Sequence, residues 1–424
     1  MFTFRYKDPE TRDVAKAAAE AALSQTLQIE YKDPNTMVLK NAPGILKKMT
    51  QIHSDMGFPE DIFKTCLSEL PIPNDIISNK TPLNFTYGGY YQIPTDNAPV
   101  IAPRIGIISL GGTYYSSDLK LAWEVSDRSD PYREPNYVIL PGCQNIPNVP
   151  SGNSNADKEN ALDLQLIMTN APPNAIITIY MALNTYDGFN MALAMADINN
   201  HIISCSWGLP EIALNPDNLI SINKTLKRVV SNGTALAAAS GDLGSKPSYP
   251  DSNDLSVYFP ASSPYSIACG GTSLTFDPTY QIITGETGWS GSGGGLSYIF
   301  PLPSYQQYLG GTYRRVPDIS MTADPGNSPW FVFYNNHYYL VGGTSAVAPA
   351  FSAYLSWFFT NKTEYDGEFG ILNNIYAARN SFRDITSGTN DPAGQGSYVC
   401  GTGYDMVTGL GSPIGRDLAA QLQI

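Results

Sequence analysis

From about residue 100 onward, short and nearly unbroken apolar runs alternate with longer segments whose apolar residues recur every three or four positions. The runs lie at 104–110, 175–180, 202–206 and 234–239. A strand with one wet face alternates apolar and polar residues, so runs this continuous predict strands buried on both faces. Segments 188–199 and 216–231 carry the helical period between them. Strands that alternate with helices in this way predict an α/β fold, a mainly parallel sheet with helices on both faces. Before residue 78 the pattern differs. An Ala-rich helix is expected at 11–25 and a mixed segment at 44–69, and the text ends in the linker-like Pro71-Ile72-Pro73-Asn74-Asp75. The division predicted is a small N-terminal α or α+β segment over residues 1–77 and one large domain over 78–424.

Composition narrows the class of protein. A chain of 424 residues, 42% hydrophobic and with 37 Gly and 32 Pro, is globular and loop-rich and not disordered or fibrous. No apolar run reaches the roughly 18 residues that span a bilayer, and the N-terminal text lacks the apolar core of a signal peptide. The formal net charge of -13 excludes a nucleic-acid partner, which needs clustered Lys and Arg. With 25 Lys plus Arg and 3 His, protonation of the carboxylates leaves only a modest positive charge, so tolerance of acid is compatible with the composition. Five cysteines without C-x-x-C spacing suggest neither a zinc site nor a disulfide framework, and Cys205 and Cys269 lie in strand-like runs as core thiols.

The strongest chemical signal is Gly342-Gly343-Thr344-Ser345-Ala346-Val347-Ala348-Pro349, which reads as a serine opening an apolar helix. A serine hydroxyl attacks a carbonyl only when a base takes its proton, and near neutral pH that base is usually histidine. His53, His201 and His337 sit in no recognisable triad segment, whereas 38 Asp plus Glu are available. A carboxylate serves best as base near its own pKa of about 4, which points to acid chemistry. Glu159 and Asp163 stand four apart in a helical segment, on one face, where like charges raise one another's proton affinity. Taken alone, the pair could equally be a solvated helix face. Asp242 follows a buried run in a Gly-rich loop, the position where open parallel sheets hold ligands, and it could also be a turn former. Asp384 and Asp405, with Gly-rich backbone between them, suit a hard cation, or else a turn cluster.

From Thr81 to Ile424 the chain resembles the sedolisins, the serine-carboxyl peptidases, whose fold is subtilisin-like and whose activity lies in acid. The resemblance is carried in order by Thr81-Pro82-Leu83, Ile107-Ile108-Ser109-Leu110-Gly111-Gly112, Ser204-Cys205-Ser206-Trp207-Gly208, Phe259-Pro260-Ala261-Ser262-Ser263-Pro264-Tyr265, Gly293-Gly294-Gly295-Leu296-Ser297, Arg315-Val316-Pro317-Asp318 and Gly403-Tyr404-Asp405-Met406-Val407-Thr408-Gly409-Leu410-Gly411-Ser412-Pro413. It implies Ser345 as nucleophile, Glu159 as general base, Asp163 as its supporting carboxylate and Asp242 as oxyanion partner. It also implies a cleft lined by Trp289, Gly293, Gly294 and Gly295. One structural Ca2+ is implied, on Asp384 and Asp405 with the carbonyls of Ile385, Gly401 and Gly403.

The activity so implied is hydrolysis of peptide or protein substrates, with internal cleavage favoured over release of tripeptides, by a monomer in a secreted or acidic setting. Two departures stand out. Ser109 occupies a position where some sedolisins carry a glutamate, which shortens the carboxylate chain behind the base. Residues 1–77 are also fewer than the family's long prosegments, and they read as a shortened prosegment, a truncated product or a docking piece. A fold kept for binding after loss of turnover is the alternative; intact catalytic positions argue against it. A neutral subtilisin-type protease is disfavoured because no His-Gly-Thr motif is present.

Overall fold

The computed structural model describes residues 83–422, apart from 97, 127, 248–253, 278–281, 336, 360–364, 366 and 392–396. Before residue 83 it describes four strand segments, Phe2–Arg5, Ile29–Asp33, Thr36–Leu39 and Leu70–Pro71. The first three form an antiparallel sheet with Thr36–Leu39 in the middle. The segments expected at 11–25 and 44–69 lie outside the described residues, as does residue 77.

The domain is built on an eight-stranded sheet. Its members in chain order are β1 (Arg104–Leu110), β2 (Asn136–Ile139), β3 (Ile176–Ala182), β4 (Ile202–Cys205), β5 (Ala235–Ala239), β6 (Ile267–Phe276), β7 (Ile283–Gly288) and β8 (Ile319–Thr322). The spatial order is β7-β6-β5-β4-β1-β3-β2, with β8 pairing β6. All neighbours are parallel except the β6–β7 pair. The four apolar runs of the sequence are β1, β3, β4 and β5, matched to within two residues at each end. The expected α/β, mainly parallel architecture is therefore the one observed.

Six helices matter for the site: α1 (Leu83–Tyr90), α2 (Ser116–Val125), α3 (Ser154–Asn170), α4 (Tyr186–Asn199), α5 (Pro216–Ser231) and α6 (Thr344–Leu355). Alternation along the strands explains why the runs are apolar throughout. Ile203, Cys205, Leu236 and Ala238 pack with Phe189, Leu193, Leu219 and Leu226 of α4 and α5. Their strand neighbours Ile202, Ala235, Ala237 and Ala239 pack with Leu162 and Leu166 of α3 and with Val347 and Phe351 of α6. Both faces are thus dry, and each full burial of such a side chain is worth about 1.5–3 kcal/mol. Cys205 and Cys269 are buried thiols in these two layers.

Local signals start the helices. Asn153 caps α3 by accepting from the Ala156 N–H at 3.3 Å, and Thr185 caps α4 by accepting from Gly188 at 3.0 Å. Asn215 accepts from Asp217 at 2.9 Å ahead of Pro216 at the first turn of α5. Such caps satisfy backbone donors that the helix itself leaves open. Helix α6 starts differently, because Gly343 before it has φ +103 and no side chain to offer. No helix among the described residues is long and apolar enough to cross a membrane.

Candidate active site

The C-terminal ends of β4 and β5 and the N-terminus of α6 meet at a cavity of about 210 Å3 lined by Ser206, Gly208, Gly241, Asp242, Tyr258 and Ser345, among others. This is the end of a parallel sheet where strand carboxyl termini leave a crevice. Ser345 is the second residue of α6 and is half-buried at the cavity floor. Its hydroxyl makes a long hydrogen bond, 3.5 Å, to the Ser206 carbonyl.

Glu159 and Asp163 come from one face of α3, which packs against α6. Burial raises the Glu159 carboxyl to about 7; the charge of Asp242 adds to the rise, while the nearby hydroxyls of Ser345 and Ser206 pull it down. Oε1 of Glu159 is buried without a hydrogen-bond partner. Asp163 is completely buried, and burial first, then the Glu159 charge, hold its pKa well above the usual carboxylate range, against one lowering hydrogen bond from Ser206. That bond links Ser206 Oγ and Asp163 Oδ1 at 2.7 Å; Oδ2 has no partner. Two acids this close, one of them in the dry core, do not ionise together, so the pair shares protons in acid.

Asp242 closes the other side. Its Oδ1 accepts the Thr344 N–H at 2.7 Å and the Thr344 hydroxyl at 2.8 Å, so it supplies the cap that Gly343 cannot. The Gly241 N–H in turn donates to Thr344 Oγ1 at 2.9 Å. A Cβ on Gly343 would stand 2.5 Å from Asp242 Oδ2, which explains why glycine precedes the helix. Asp242 is open to the cavity but has protein behind it. That enclosure raises its pKa, and the two Thr344 bonds work in the opposite sense. No described histidine belongs to this group: Nδ1 of His201 accepts from the Arg104 N–H and His337 faces the Asn335 carbonyl. Ser109 lies buried in β1, its hydroxyl without a partner.

The structure thus brings Glu159, Asp163, Asp242 and Ser345 together from three stretches of chain. Trp289 and Gly293 to Gly295 lie beside this cluster and do not line the cavity. Gly293 sits against the main chain of Ser240 and donates to the Gly241 carbonyl at 2.8 Å. Gly294 sits against the Met406 carbonyl and Gly295 against Tyr398, while Trp289 covers Gly271 and Gly291. Of the four, Gly293 packs directly against the main chain of the loop that carries Asp242.

The proposed cation residues also converge. The Gly403 N–H donates to Asp384 Oδ2 at 3.0 Å and the Gly401 N–H to Asp405 Oδ2 at 3.1 Å, so one short loop holds both carboxylates. Among the described residues no three His, Cys, Asp or Glu side chains gather as a metal site. Carboxylate oxygens are the donor type a hard cation takes, and here Asp405 Oδ1 already accepts the N–H groups of Val407 and Thr408 at 2.9 and 2.8 Å, while among the described residues no such bond is made to Asp384 Oδ1. Burial pushes the neighbouring Cys400 thiol up to about 12, so it offers no thiolate.

Three residues of the site went unassigned in the sequence: Ser206, Thr344 and Gly343. The signal for Ser206 was its place just past the end of a buried strand. The other two were hidden because their partner, Asp242, is a hundred residues away.

Fold and site together define a subtilisin-like α/β protein in which a serine at a helix start is set among carboxyls. The comparisons agree. The chain is 36% identical over 365 residues to kumamolisin of Bacillus sp. (strain MN-32), covering 81% of this chain and 63% of that protein. It is 30% identical over 296 residues to human tripeptidyl-peptidase 1, covering 62% of this chain and 51% of that one. Among solved structures, Pseudomonas sedolisin complexed with two molecules of pseudo-iodotyrostatin superposes with a TM-score of 0.65 at 27% identity, covering 78% of this chain and 96% of that one. No protein-family model matches. These likenesses indicate the sedolisin family with its subtilisin-like fold, and the matched part of the chain spans between half and two thirds of the length of these curated relatives.

Proposed function

We propose that this chain is an acid-acting serine-carboxyl peptidase. The observation that carries the reading is Ser345 at the start of α6 beside an acid pair, with no described histidine in reach. Glu159 removes the Ser345 proton as Oγ attacks the scissile carbonyl, and Asp163 behind it spreads the charge. Asp242 serves the oxyanion. Because its Oδ1 already accepts two bonds from Thr344, the proton it donates sits on Oδ2. The leaving amine takes the proton from Glu159, and water then hydrolyses the acyl-enzyme by the same route. Asp242 donates only while protonated and Glu159 takes the Ser345 proton only while charged, so turnover is carried by the fraction of chains in which both hold, with the acid limb set by the Glu159–Asp163 pair and the fall toward neutrality by Asp242.

The substrates proposed are peptides or proteins cleaved internally. Release of N-terminal tripeptides is the second reading, favoured by the likeness to tripeptidyl-peptidase 1. Asp384 and Asp405, with the carbonyls of Ile385, Gly401 and Gly403, would hold one Ca2+. The ion would tie residues 384–385 to the 401–405 loop and takes no chemical step.

The test is cleavage of a peptide library from roughly pH 2.5 to 8, with Ser345→Ala as control and products read by mass. Ser345-dependent cleavage that peaks in acid is expected. A maximum at pH 7–8, or full activity in Ser345→Ala, overturns the reading. Internal fragments and tripeptides separate the two specificities.

A further inference from the structure

The main-chain carbonyl of Ser345 has an unusual problem, and Ser206 is placed to solve it. In an α-helix that carbonyl would accept the N–H of the residue four positions on, but that residue is Pro349, which has none. Ser206 Oγ stands 3.1 Å from the Ser345 carbonyl oxygen. The same Oγ is 2.7 Å from Asp163 Oδ1, and it lies close enough to Glu159 to lower that group's pKa. In return the Ser345 hydroxyl lies 3.5 Å from the Ser206 carbonyl. Ser206 comes from the end of β4, the two acids from α3 and the nucleophile from α6, so one hydroxyl links three elements of the site.

A hydroxyl has a single proton. When Asp163 is neutral, its Oδ1–H donates to Ser206 Oγ, and the Ser206 proton is free to reach the Ser345 carbonyl. When Asp163 is charged, Ser206 turns its proton to the carboxylate, and the Ser345 carbonyl is left unpaired. The hydroxyl keeps its own proton in both arrangements and only rotates.

We infer that Ser206 is a positioning residue, which clips the Pro349-freed carbonyl of Ser345 to the Glu159–Asp163 acid pair and so holds the nucleophile at its base. This rests on the peptidase reading above and adds to it a residue and a reason for Pro349. The titratable groups that face the clip are Glu159 and Asp163 from α3, Asp242 and Tyr258 across the cavity and Cys205 beside it. Burial keeps Cys205 up at about 12 and Tyr258 up at about 12, so the two acids and Asp242 are the groups that change charge in the working range.

The test compares Ser206→Ala, Ser206→Thr, Pro349→Ala and the Ser206→Ala/Pro349→Ala double variant on one cleavable peptide, across pH. Losing one positioning hydrogen bond predicts that Ser206→Ala lowers kcat about 3- to 10-fold with KM nearly unchanged. Its acid limb moves to higher pH, because the hydroxyl lowers the pKa of both Glu159 and Asp163. Ser206→Thr keeps the hydroxyl and restores kcat. In the Pro349→Ala background the backbone N–H gained at that position takes the Ser345 carbonyl, so adding Ser206→Ala costs less than in the parent chain.

An additive double variant overturns the clip, and so does an unmoved pH profile in a folded Ser206→Ala. Ser345→Ala on the same peptide separates this failure from the other. If Ser345→Ala still cleaves, the peptidase reading has failed; if it is inactive while Ser206→Ala is unaffected, only the clip has.

Discussion

Asp242 and Thr344, a hundred residues apart, are joined by two hydrogen bonds that both end on Asp242 Oδ1. One oxygen is thereby committed to holding α6, and the other is left for chemistry. Asp242→Ala is expected to lower kcat by on the order of 10²–10³, the usual cost of an oxyanion donor. Asp242→Asn fits the same bonds, with its carbonyl oxygen toward Thr344 and its amide as a donor that pH cannot remove. Activity measured between acid and neutral pH should therefore fall less steeply toward neutrality in Asp242→Asn than in the parent chain.

Gly343→Ala tests the same contact from the helix side. The added Cβ meets Asp242 Oδ2 at 2.5 Å and sits at φ +103, which costs on the order of 1–3 kcal/mol in strain alone. We expect a lower melting temperature together with a kcat loss approaching that of Asp242→Ala. A variant with parental kcat would mean that Asp242 does not need its present position.

The acid pair makes stability depend on pH with a definite sign. Glu159 is raised to about 7, and Asp163 and Asp242 are raised as well, all chiefly by burial. A carboxyl whose folded pKa exceeds its unfolded value of about 4 holds its proton longer in the folded chain. Its contribution is complete below about pH 4 and is lost as pH rises through the folded pKa, about 7 for Glu159. Scanning calorimetry should give a melting temperature that declines across that window by a few degrees, and a smaller decline in Glu159→Gln. An identical slope in the two chains would contradict the burial of Glu159.

A buried ion pair supports the loop before β8. Arg314 and Asp318 are both fully buried, with Nη1 to Oδ1 at 2.8 Å and Nη2 to Oδ2 at 2.6 Å, and Asp318 also accepts the Tyr376 hydroxyl at 2.6 Å and the Ala268 N–H at 2.7 Å. Asp318→Ala strands the guanidinium in the core. Denaturant unfolding should register a loss of about 3–5 kcal/mol. Glu124→Ala, which removes only an exposed partner of Lys120, should lose less than about 0.5 kcal/mol.

If Asp384 and Asp405 hold Ca2+, a chelator removes a ligand that binds only the folded chain, and melting falls while turnover of the still-folded protein stays within about twofold. Asp384→Ala should melt like the chelated parent and gain nothing from added calcium. Unchanged melting on chelation would remove the cation from this loop.

The sequence by itself determined the sheet. Runs such as 104–110 and 234–239 are apolar at nearly every position because both faces are dry, and that pattern survives in one dimension. It also marked Ser345, since a Gly-Thr-Ser start followed by an apolar helix is local, and it put Glu159 and Asp163 on one face through their spacing of four. The family resemblance named the carboxylates, but the residues' own chemistry left their meeting with that serine open, and only tertiary structure brings them to it. Asp242 caps a helix that begins a hundred residues later, and its bonds to Thr344 depend on the end of β5 and the start of α6 meeting at the same edge. The raised proton affinities likewise belong to no residue singly, because they arise from burial between α3, α6 and the sheet. Ser206 is the sharpest instance: its spacing to Asp163 and Ser345 is set by packing, and nothing in its own neighbourhood along the chain encodes a partner 139 residues away.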